Sequence, residues 1–340
     1  MSAKIIKITS ETDYIKLSEA AESLRRGGLV AFPTETVYGL GANALSGEST
    51  GKIFAAKGRP QDNPLIVHVS QKEDVYPLVK SVPEKAERIF DNLCPGPITV
   101  ILEKSEIVPD VVTAGGKTVA VRIPENKIAR QLIKLSGVPV AAPSANVSGR
   151  PSPTEADHVK EDLEEKIDYI IDGGKCQVGV ESTVIDLTVE PPRILRPGGV
   201  SHEKLTELLG EVCGYAPKDE DALAPKSPGM KYTHYAPRGK MIVFEGNGAK
   251  EEISKCILEN ADKKVFIISS REISGIDCET FILGETPEEY AKNLFFALRK
   301  ADEEGAELVL AELPFETGGI ATAIKNRIYK SCGGNVVKCE

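Results

Sequence analysis

Apolar runs alternate with amphipathic stretches through the first two hundred or so residues, and proline or glycine separates most of them. The apolar runs predict β-strands at 4–8, 29–32, 65–69, 98–102, 119–123, 138–142, 169–171 and 183–187. The amphipathic stretches predict helices at 13–25, 84–92, 126–135, 155–166 and 202–209. This order of elements is typical of an α/β fold.

The periodic pattern stops between about residues 212 and 240, in a segment rich in proline and charge. Such a composition is typical of a linker. A second alternating region follows, with predicted strands at 241–245, 264–269, 280–283 and 307–311. Its clearest helix begins at the cap Thr286 and runs to about Glu304. We therefore expect a domain at 1–211, a linker at 212–239 and a smaller Rossmann-like α/β domain at 240–340.

The composition, 41% hydrophobic and 27% charged, is that of a globular protein. We expect a cytoplasmic location, because there is no basic and apolar leader and no apolar run of the ~18 residues that would span a bilayer. Seven cysteines without Cys-x-x-Cys pairs predict reduced thiols and no structural metal site. The net charge of -9 argues against strong direct binding of nucleic acid.

Two glycine-rich segments resemble nucleotide-binding loops. Residues 39–44 match the dinucleotide pattern, but other residues separate them from the preceding strand and no convincing helix follows, so we interpret their glycines as turn residues. Residues 47–52 are one residue short of a phosphate-binding loop, and Ile53 replaces the hydroxyl that would bind magnesium. A helix start is the better interpretation of that segment.

Two polar segments lie at the ends of predicted strands, where open α/β sheets place their ligands. Residues 32–41, FPTETVYGLG, put two hydroxyl groups and a carboxylate in a turn. Residues 57–63, KGRPQDN, carry two cations that suit an anion, although a solvated charged turn explains this stretch equally well. The next strand contains His68, for which a hydrogen-bonded core histidine is the favoured interpretation when the residue is taken alone.

Two further segments have the same character. In TVAVRIP, residues 118–124, alternation puts Thr118, Ala120 and Arg122 on one strand face. An arginine there must be paired, either with a ligand or, as the alternative favoured for this residue alone, in a structural ion pair. Residues 142–154, APSANVSGRPSPT, form a loop whose amides and hydroxyls can bind phosphate at a helix start or merely cap the helix.

Ser182 and Arg196 add another hydroxyl and another cation, each beside a predicted strand. The first domain then holds four candidate cations for a small anionic substrate: Lys57, Arg59, Arg122 and Arg196. Because that domain otherwise carries excess negative charge, we expect a local positive site.

Seven segments of the chain resemble, in the same order, the YrdC-like family of L-threonylcarbamoyladenylate synthases: FPTETVYGLG, KGRPQDNPLIVHV, PGPITVIL, TVAVRIP, APSANVSGRPSPT, GVEST and LRPGG. Two more, SPGMKYTHYAP and GGIATAIKNRIYKS, resemble the linker and the C-terminal domain of the family's two-domain form. The resemblance covers essentially the whole chain. It implies a twisted open α/β sheet with a deep positively lined cavity, followed by a Rossmann-like domain.

The resemblance also implies a role for individual residues. Lys57 and Arg59 would be catalytic. L-threonine would be bound by Thr36, His68, Arg122, Ala142 and Ser182. ATP would be bound by Arg59, Asn63, Thr118, Ser144, Asn146, Ser152, Arg196 and His234. Tyr232 and Tyr235 would belong to a lid formed by linker residues 228–237, for which a passive tether is the alternative.

The implied reaction joins L-threonine, bicarbonate and ATP into L-threonylcarbamoyladenylate and releases pyrophosphate. Catalysis would rest on positioning and charge neutralisation, without a protein nucleophile. Mg²⁺ would accompany ATP, bound mainly by phosphate oxygens, and no protein side chain is assigned as a metal ligand. The product would pass to the threonylcarbamoyl transferase machinery that modifies tRNA.

Two other functions are consistent with the residues. A carbamoyl transferase or another acyladenylate-forming enzyme of the same fold would show activity with an amine other than threonine. An RNA-binding module would lose affinity steeply as salt rises, and the acidic net charge disfavours it.

The lid hypothesis generates a first test. We expect His234→Ala, or deletion of residues 228–237, to lower turnover while both domains stay folded, because a lid would exclude water from the unstable carbamate. Steady-state turnover measures the effect, and circular dichroism controls for folding. Unchanged turnover would rule out the lid.

Overall fold

The structure is a computed structural model that describes residues 2–216, 226, 235–273 and 278–340. The chain divides into two compact units. The N-terminal unit spans 1–148, 152–177 and 181–232, and the C-terminal unit spans 149–151, 178–180 and 233–340. Within the described ranges, no helix combines the length and apolarity needed to cross a membrane.

The N-terminal unit is built on a ten-stranded mixed sheet. Its strands are β1 (Lys4–Lys7), β2 (Val30–Phe32), β3 (Gly39–Asn43), β4 (Ile66–His68), β5 (Ile98–Glu103), β6 (Thr118–Arg122), β7 (Val140–Ala142), β8 (Tyr169–Asp172), β9 (Thr183–Asp186) and β10 (Arg193–Arg196). They lie in the order β1-β8-β2-β3-β7-β4-β6-β5-β9-β10. The pairs β1–β8, β2–β8, β4–β6 and β5–β9 are parallel, and the others are antiparallel.

Seven α-helices connect these strands among the described residues: α1 (Leu17–Arg25), α2 (Gly47–Lys57), α3 (Glu84–Leu93), α4 (Asp110–Thr113), α5 (Lys127–Ser136), α6 (Ala156–Leu163) and α7 (His202–Leu209). Short 3-10 helices cover Glu11–Lys16 and Lys72–Leu78. The side chain of Ser46 caps α2, and Gly58 ends that helix at a φ of 62°. These two residues fix where Lys57, the last residue of α2, is placed.

The two faces of the sheet differ around β4 and β6. Val119 and Val121 belong to the main hydrophobic core, to which α2, α3 and α7 also contribute side chains. The alternate residue Ala120 belongs instead to a small apolar cluster with one residue from each of five neighbouring strands: Ile66, Ile101, Ala120, Val184 and Leu195. No helix contributes to this cluster. We call this face the strand-only face.

The C-terminal unit holds a five-stranded sheet in which every pairing is parallel. Its strands are β11 (Lys240–Glu245), β12 (Val265–Ser269), β13 (Glu279–Ile282), β14 (Leu308–Leu313) and β15 (Val336–Lys338), in the order β13-β12-β14-β11-β15. Its described helices are α8 (Ala249–Glu259), α9 (Pro287–Glu303) and α10 (Ala321–Ser331). Thr286 and Glu289 form a capping box that begins α9.

The predicted fold class, a large α/β sheet followed by a smaller one, is confirmed. The prediction that the glycines of residues 39–44 lie in a turn was wrong, because Gly39–Asn43 forms β3. Strands β10 and β15 and helices α8 and α10 were not predicted. Most of the predicted linker at 212–239 lies outside the described residues, and the predicted cavity stays a prediction.

Gly41 explains why a glycine-rich segment forms a strand here. A Cβ atom at Gly41 would lie 2.6 Å from Val140 Cγ1 and 2.8 Å from Phe32 Cε1, so β3 can approach its neighbours only without a side chain. We expect Gly41→Ala to lower the free energy of unfolding by about 1–3 kcal/mol through overpacking.

Denaturant unfolding measures this change, with Gly51→Ala as the matched control. Gly51 lies within α2, and an added Cβ would meet no atom within 4 Å. The control should therefore raise the free energy of unfolding by about 0.5–1 kcal/mol through helix propensity. Equal effects of the two substitutions would contradict the close approach.

Candidate functional site

Strands β4 and β6 place polar residues at both ends of the strand-only face. Ile66 pairs with Ala120 and His68 pairs with Arg122 in parallel register. Because side chains alternate along a strand, Thr118, Ala120 and Arg122 share one face. Thr118 therefore lies at the beginning of β6 on this face, and the His68–Arg122 pair lies at the end.

Arg122 is held by the loop between β2 and β3. Its Nη2 atom donates to Oε1 of Glu35 at 2.6 Å and to Oγ1 of Thr36 at 2.9 Å. The second oxygen of Glu35 accepts from the backbone N–H of Glu125 at 3.1 Å. The side chains of Arg122 and Glu35 are only 4% and 6% exposed, and Nε of Arg122 is buried without a hydrogen-bond partner among the described residues.

His68 lies beside this pair as a buried neutral imidazole. Its Nδ1 is 3.1 Å from the carbonyl oxygen of Ile66, and its ring meets that of Phe32 edge-on, with centroids 6.0 Å apart. Burial lowers the pKa of His68 to about 3, and the positive charges of Arg122 and Arg196 lower it further. Both arginines thus act electrostatically on the same imidazole.

Ser182 immediately precedes β9, which pairs with β5. It forms hydrogen bonds with Thr99 of β5 and with Arg196. Oγ of Ser182 is 2.7 Å from Oγ1 of Thr99. Arg196 donates from Nη2 to Oγ of Ser182 at 3.1 Å, and from Nη2 and Nε to its carbonyl oxygen at 3.0 and 3.1 Å. Gly198 permits this contact, because a Cβ there would lie 2.2 Å from the backbone nitrogen of Thr183.

Lys57 is enclosed by the loop that follows β7. Its Nζ donates to the carbonyl oxygen of Ser144 at 2.5 Å and to that of Asn146. Oγ of Ser144 donates to Oδ1 of Asn146 at 2.5 Å. Further along the same loop, Ser152 donates to Oε1 of Glu181 at 2.7 Å.

Arg59 and Asn63 lie between α2 and β4. Nη2 of Arg59 is 3.4 and 3.3 Å from the carbonyl oxygens of Asn63 and Pro64. The side chain of Asn63 is 1% exposed, and neither its Oδ1 nor its Nδ2 has a hydrogen-bond partner among the described residues. A buried amide left unpaired costs about 1–3 kcal/mol, so this side chain is suited to a ligand that supplies both a donor and an acceptor.

The structure brings many of the nominated residues together in small groups. Thr36, His68 and Arg122 form one group, which Ala142 of β7 adjoins through its pairing with Ile66. The other groups are Ser182 with Arg196, Lys57 with Ser144 and Asn146, and Arg59 with Asn63. Arg122 is also in the structural ion pair that was the alternative to ligand binding, and His68 has the buried, hydrogen-bonded environment of a core histidine.

Three nominated residues belong to the linker. Tyr232 and His234 lie outside the described residues. Tyr235 belongs to the C-terminal unit, where its ring centroid is 5.0 Å from that of Phe295 and 5.8 Å from Cζ of Arg327.

Sequence reasoning assigned no role to three buried polar residues of this region: Glu35, Thr99 and Glu181. The carboxylate of Glu35 was visible in the polar segment 32–41, but its partner was not. Thr99 lies in a predicted apolar strand, and only its contact with Ser182 distinguishes it from a core residue.

Comparisons with known proteins cover both units. Residues 22–198 match the family model described as "Telomere recombination", and residues 200–333 match "Threonylcarbamoyl-AMP synthase, C-terminal domain". The chain is 48% identical to the threonylcarbamoyl-AMP synthase of Pyrococcus abyssi over 98% of this chain and 99% of the relative. It is 41% identical to that of Bacillus subtilis over 98% of each.

Solved structures give the same picture. The crystal structure of P. abyssi Sua5 complexed with L-threonine matches 100% of both chains with a TM-score of 0.93 and 46% identity. The crystal structure of Escherichia coli YciO matches 58% of this chain and 96% of its own, with a TM-score of 0.52 and 25% identity.

The low pKa of His68 generates a test of the site's electrostatics. We expect the His68 imidazole not to titrate between pH 5 and 8 in the folded protein, because burial and two arginines hold its pKa at about 3. In the unfolded chain the pKa returns to about 6.5. The native state then binds fewer protons between these values, so stability present above pH ~6.5 is lost as pH falls toward 3.

NMR titration of the histidine Cε1 protons measures this, with the His68→Gln variant to assign the signal. The control is the same titration of the unfolded protein in urea, where the signal should shift. A folded-state midpoint near pH 6.5 would contradict the electrostatic environment described for His68.

Proposed function

The chain belongs to the threonylcarbamoyl-AMP synthase family, and we propose that it joins L-threonine, bicarbonate and ATP into L-threonylcarbamoyladenylate, releasing pyrophosphate. The observation that carries this proposal is the buried Arg122 beside Thr36 and His68, in a chain whose fold matches a relative solved with L-threonine. The product would serve the threonylcarbamoyladenosine modification of tRNA, through a transferase system in the cytoplasm.

L-threonine would bind at the end of β4 and β6. Arg122 is the group for its carboxylate, since a guanidinium pairs with a carboxylate through two parallel N–H groups. The neutral His68 supports this role, because it adds no second positive charge that would repel the substrate's ammonium group. Thr36, Ala142 and Ser182 would complete the threonine site.

ATP would bind on the N-terminal side of the same strands. Arg59, Asn63 and Thr118 lie there, and the unpaired amide of Asn63 offers one donor and one acceptor to a nucleotide. The remaining residues proposed for ATP are Ser144, Asn146, Ser152, Arg196 and His234. Lys57, Arg59 and Arg196 donate to backbone carbonyl oxygens, and these contacts fix the positions of three cations that we propose for a polyphosphate.

The chemistry would proceed by positioning. The threonine amine attacks the bicarbonate-derived carbon and a water is lost, and the resulting carbamate oxygen attacks the α-phosphorus as pyrophosphate leaves. Lys57 and Arg59 would neutralise the charge that develops on the phosphate oxygens. A preorganised site of this kind requires that water be excluded, which is the role we propose for linker residues 228–237.

An enzyme that uses ATP in this way works with a divalent cation, and we propose Mg²⁺. Among the residues that the structure describes, no three His, Cys, Asp or Glu side chains converge on a possible metal site. We propose that the cation is bound mainly by phosphate oxygens and water, since Mg²⁺ usually keeps several waters at nucleotide sites. When bound it would reduce the negative charge of the phosphates.

Mass spectrometry of the product made from ATP, L-threonine and bicarbonate tests the proposal directly. We expect the mass of L-threonylcarbamoyladenylate together with pyrophosphate, and no product when threonine is omitted. Product formation with another amino acid but not with threonine would contradict the proposal and favour a related acyladenylate-forming enzyme.

Two variants locate the substrates by calorimetry. Arg122→Ala should weaken threonine binding by at least about 30-fold while ATP binding changes little. Asn63→Leu should do the reverse, and its stability should be equal or higher, because it removes an unpaired buried amide. Equal loss of both ligands in either variant would overturn the assignment of that residue.

A further inference from the structure

Glu35 is a buried carboxylate to which the roles above give no task. It is 6% exposed, and its two oxygens have separate partners. Oε1 accepts from Nη2 of Arg122 at 2.6 Å, and Oε2 accepts from the backbone N–H of Glu125 at 3.1 Å. Arg122 is the residue proposed to bind the threonine carboxylate. In the structure Glu35 already binds this arginine.

The geometry of a guanidinium sets up a competition for Arg122. Nη2 carries two hydrogens, and it donates to both Glu35 and Thr36. A carboxylate that binds an arginine through two parallel N–H groups uses Nη2 together with either Nε or Nη1. A substrate carboxylate can therefore bind in this way only if Glu35 or Thr36 releases Nη2.

Of the two partners of Nη2, Glu35 carries a charge and Thr36 does not, so only Glu35 needs a new cation if it is released. If the threonine carboxylate replaces Glu35 on Arg122, Glu35 becomes a buried anion without a cation, which is strongly unfavourable. The substrate itself brings a cation, its α-ammonium group, into the same region. Oε2 can stay on the N–H of Glu125 during the exchange, so only Oε1 has to change partner.

The nearby thiols add no second anion beside Glu35. Burial raises the pKa of Cys94 to about 12 and also raises the pKa of Cys176, while the charge of Arg122 lowers and the charge of Glu35 raises both values. Both thiols are therefore neutral at physiological pH. Among the side chains in these contacts, Glu35 is the anion, Arg122 is the cation and the two thiols are neutral.

We propose that Glu35 is a specificity-determining residue that leaves Arg122 when threonine binds and pairs with the substrate's α-ammonium group. This inference rests on the proposed function. The internal ion pair then matches a zwitterion: Arg122 binds the carboxylate, and Glu35 binds the ammonium group. The site selects an α-amino acid over the same acid without its α-ammonium group, because a ligand that lacks this group would leave Glu35 unpaired.

Binding of two probes tests the proposal. The first is L-threonine, and the second is 3-hydroxybutanoate of matching configuration at the hydroxyl carbon, which lacks only the α-ammonium group. We expect wild type to bind threonine at least about 10-fold more tightly, equivalent to about 1.4 kcal/mol. In Glu35→Gln, threonine should bind at least about 10-fold more weakly, while 3-hydroxybutanoate binds equally or more tightly because its competitor is gone.

If Glu35 only orients Arg122, the substitution will weaken both probes in parallel and the ratio of their dissociation constants will not change. That result would overturn the proposal. Absence of threonine binding to the wild type would instead contradict the proposed function, so the two failures can be distinguished. Glu125→Gln is the matched control, because it removes an exposed neighbouring carboxylate and should leave the ratio unchanged.

A measurement on the wild type keeps the test valid if Glu35→Gln does not fold. Raising the pH through the pKa of the threonine amine removes the ammonium charge, so threonine should bind more weakly while 3-hydroxybutanoate is unaffected. Glu35→Asp keeps the negative charge and should keep the preference for threonine. Parallel loss of both probes at high pH, or an equal affinity of wild type for both, would contradict the exchange.

Discussion

The buried ion pair between Glu35 and Arg122 is the interaction on which the candidate site depends. A guanidinium at the end of β6 can be buried only if a partner compensates its charge, and removal of either partner from such a pair typically costs about 3–5 kcal/mol. The pair joins residues 87 positions apart and ties the loop between β2 and β3 to the end of β6. The same loop carries Thr36, so the pairing of Arg122 with Glu35 also brings Thr36 next to Arg122.

The sheet provides the platform for this pair. Alternation along β6 sends Val119 and Val121 into the main core and Thr118, Ala120 and Arg122 to the strand-only face. The valines on the core side stabilise the strand. Among the described residues, the amide of Asn63 and Nε of Arg122 are buried without a hydrogen-bond partner, and both belong to residues nominated for ligands.

The cations of the N-terminal unit are fixed in two different ways. Arg122 has a carboxylate partner, whereas Lys57, Arg59 and Arg196 all donate to backbone carbonyls. A backbone carbonyl oxygen orients a cation, which is consistent with the role proposed for these three residues at the phosphates. The carboxylate of Glu35 pairs with Arg122, which is consistent with the site proposed for a zwitterion.

Local patterns in the sequence were enough to predict most of the helices and strands and the presence of two α/β units. The order of the polar segments was enough to indicate the family. Periodicity and punctuation by glycine and proline are local, so they can be recognised without the fold. They failed for Gly39–Asn43, which forms a strand between β2 and β7, because the close approach of Val140 of β7 that requires a glycine at position 41 is set by the tertiary structure. They also could not pair Glu35 with Arg122 or Thr99 with Ser182, since charge and hydroxyl groups far apart in sequence meet only when the strands have assembled in their register.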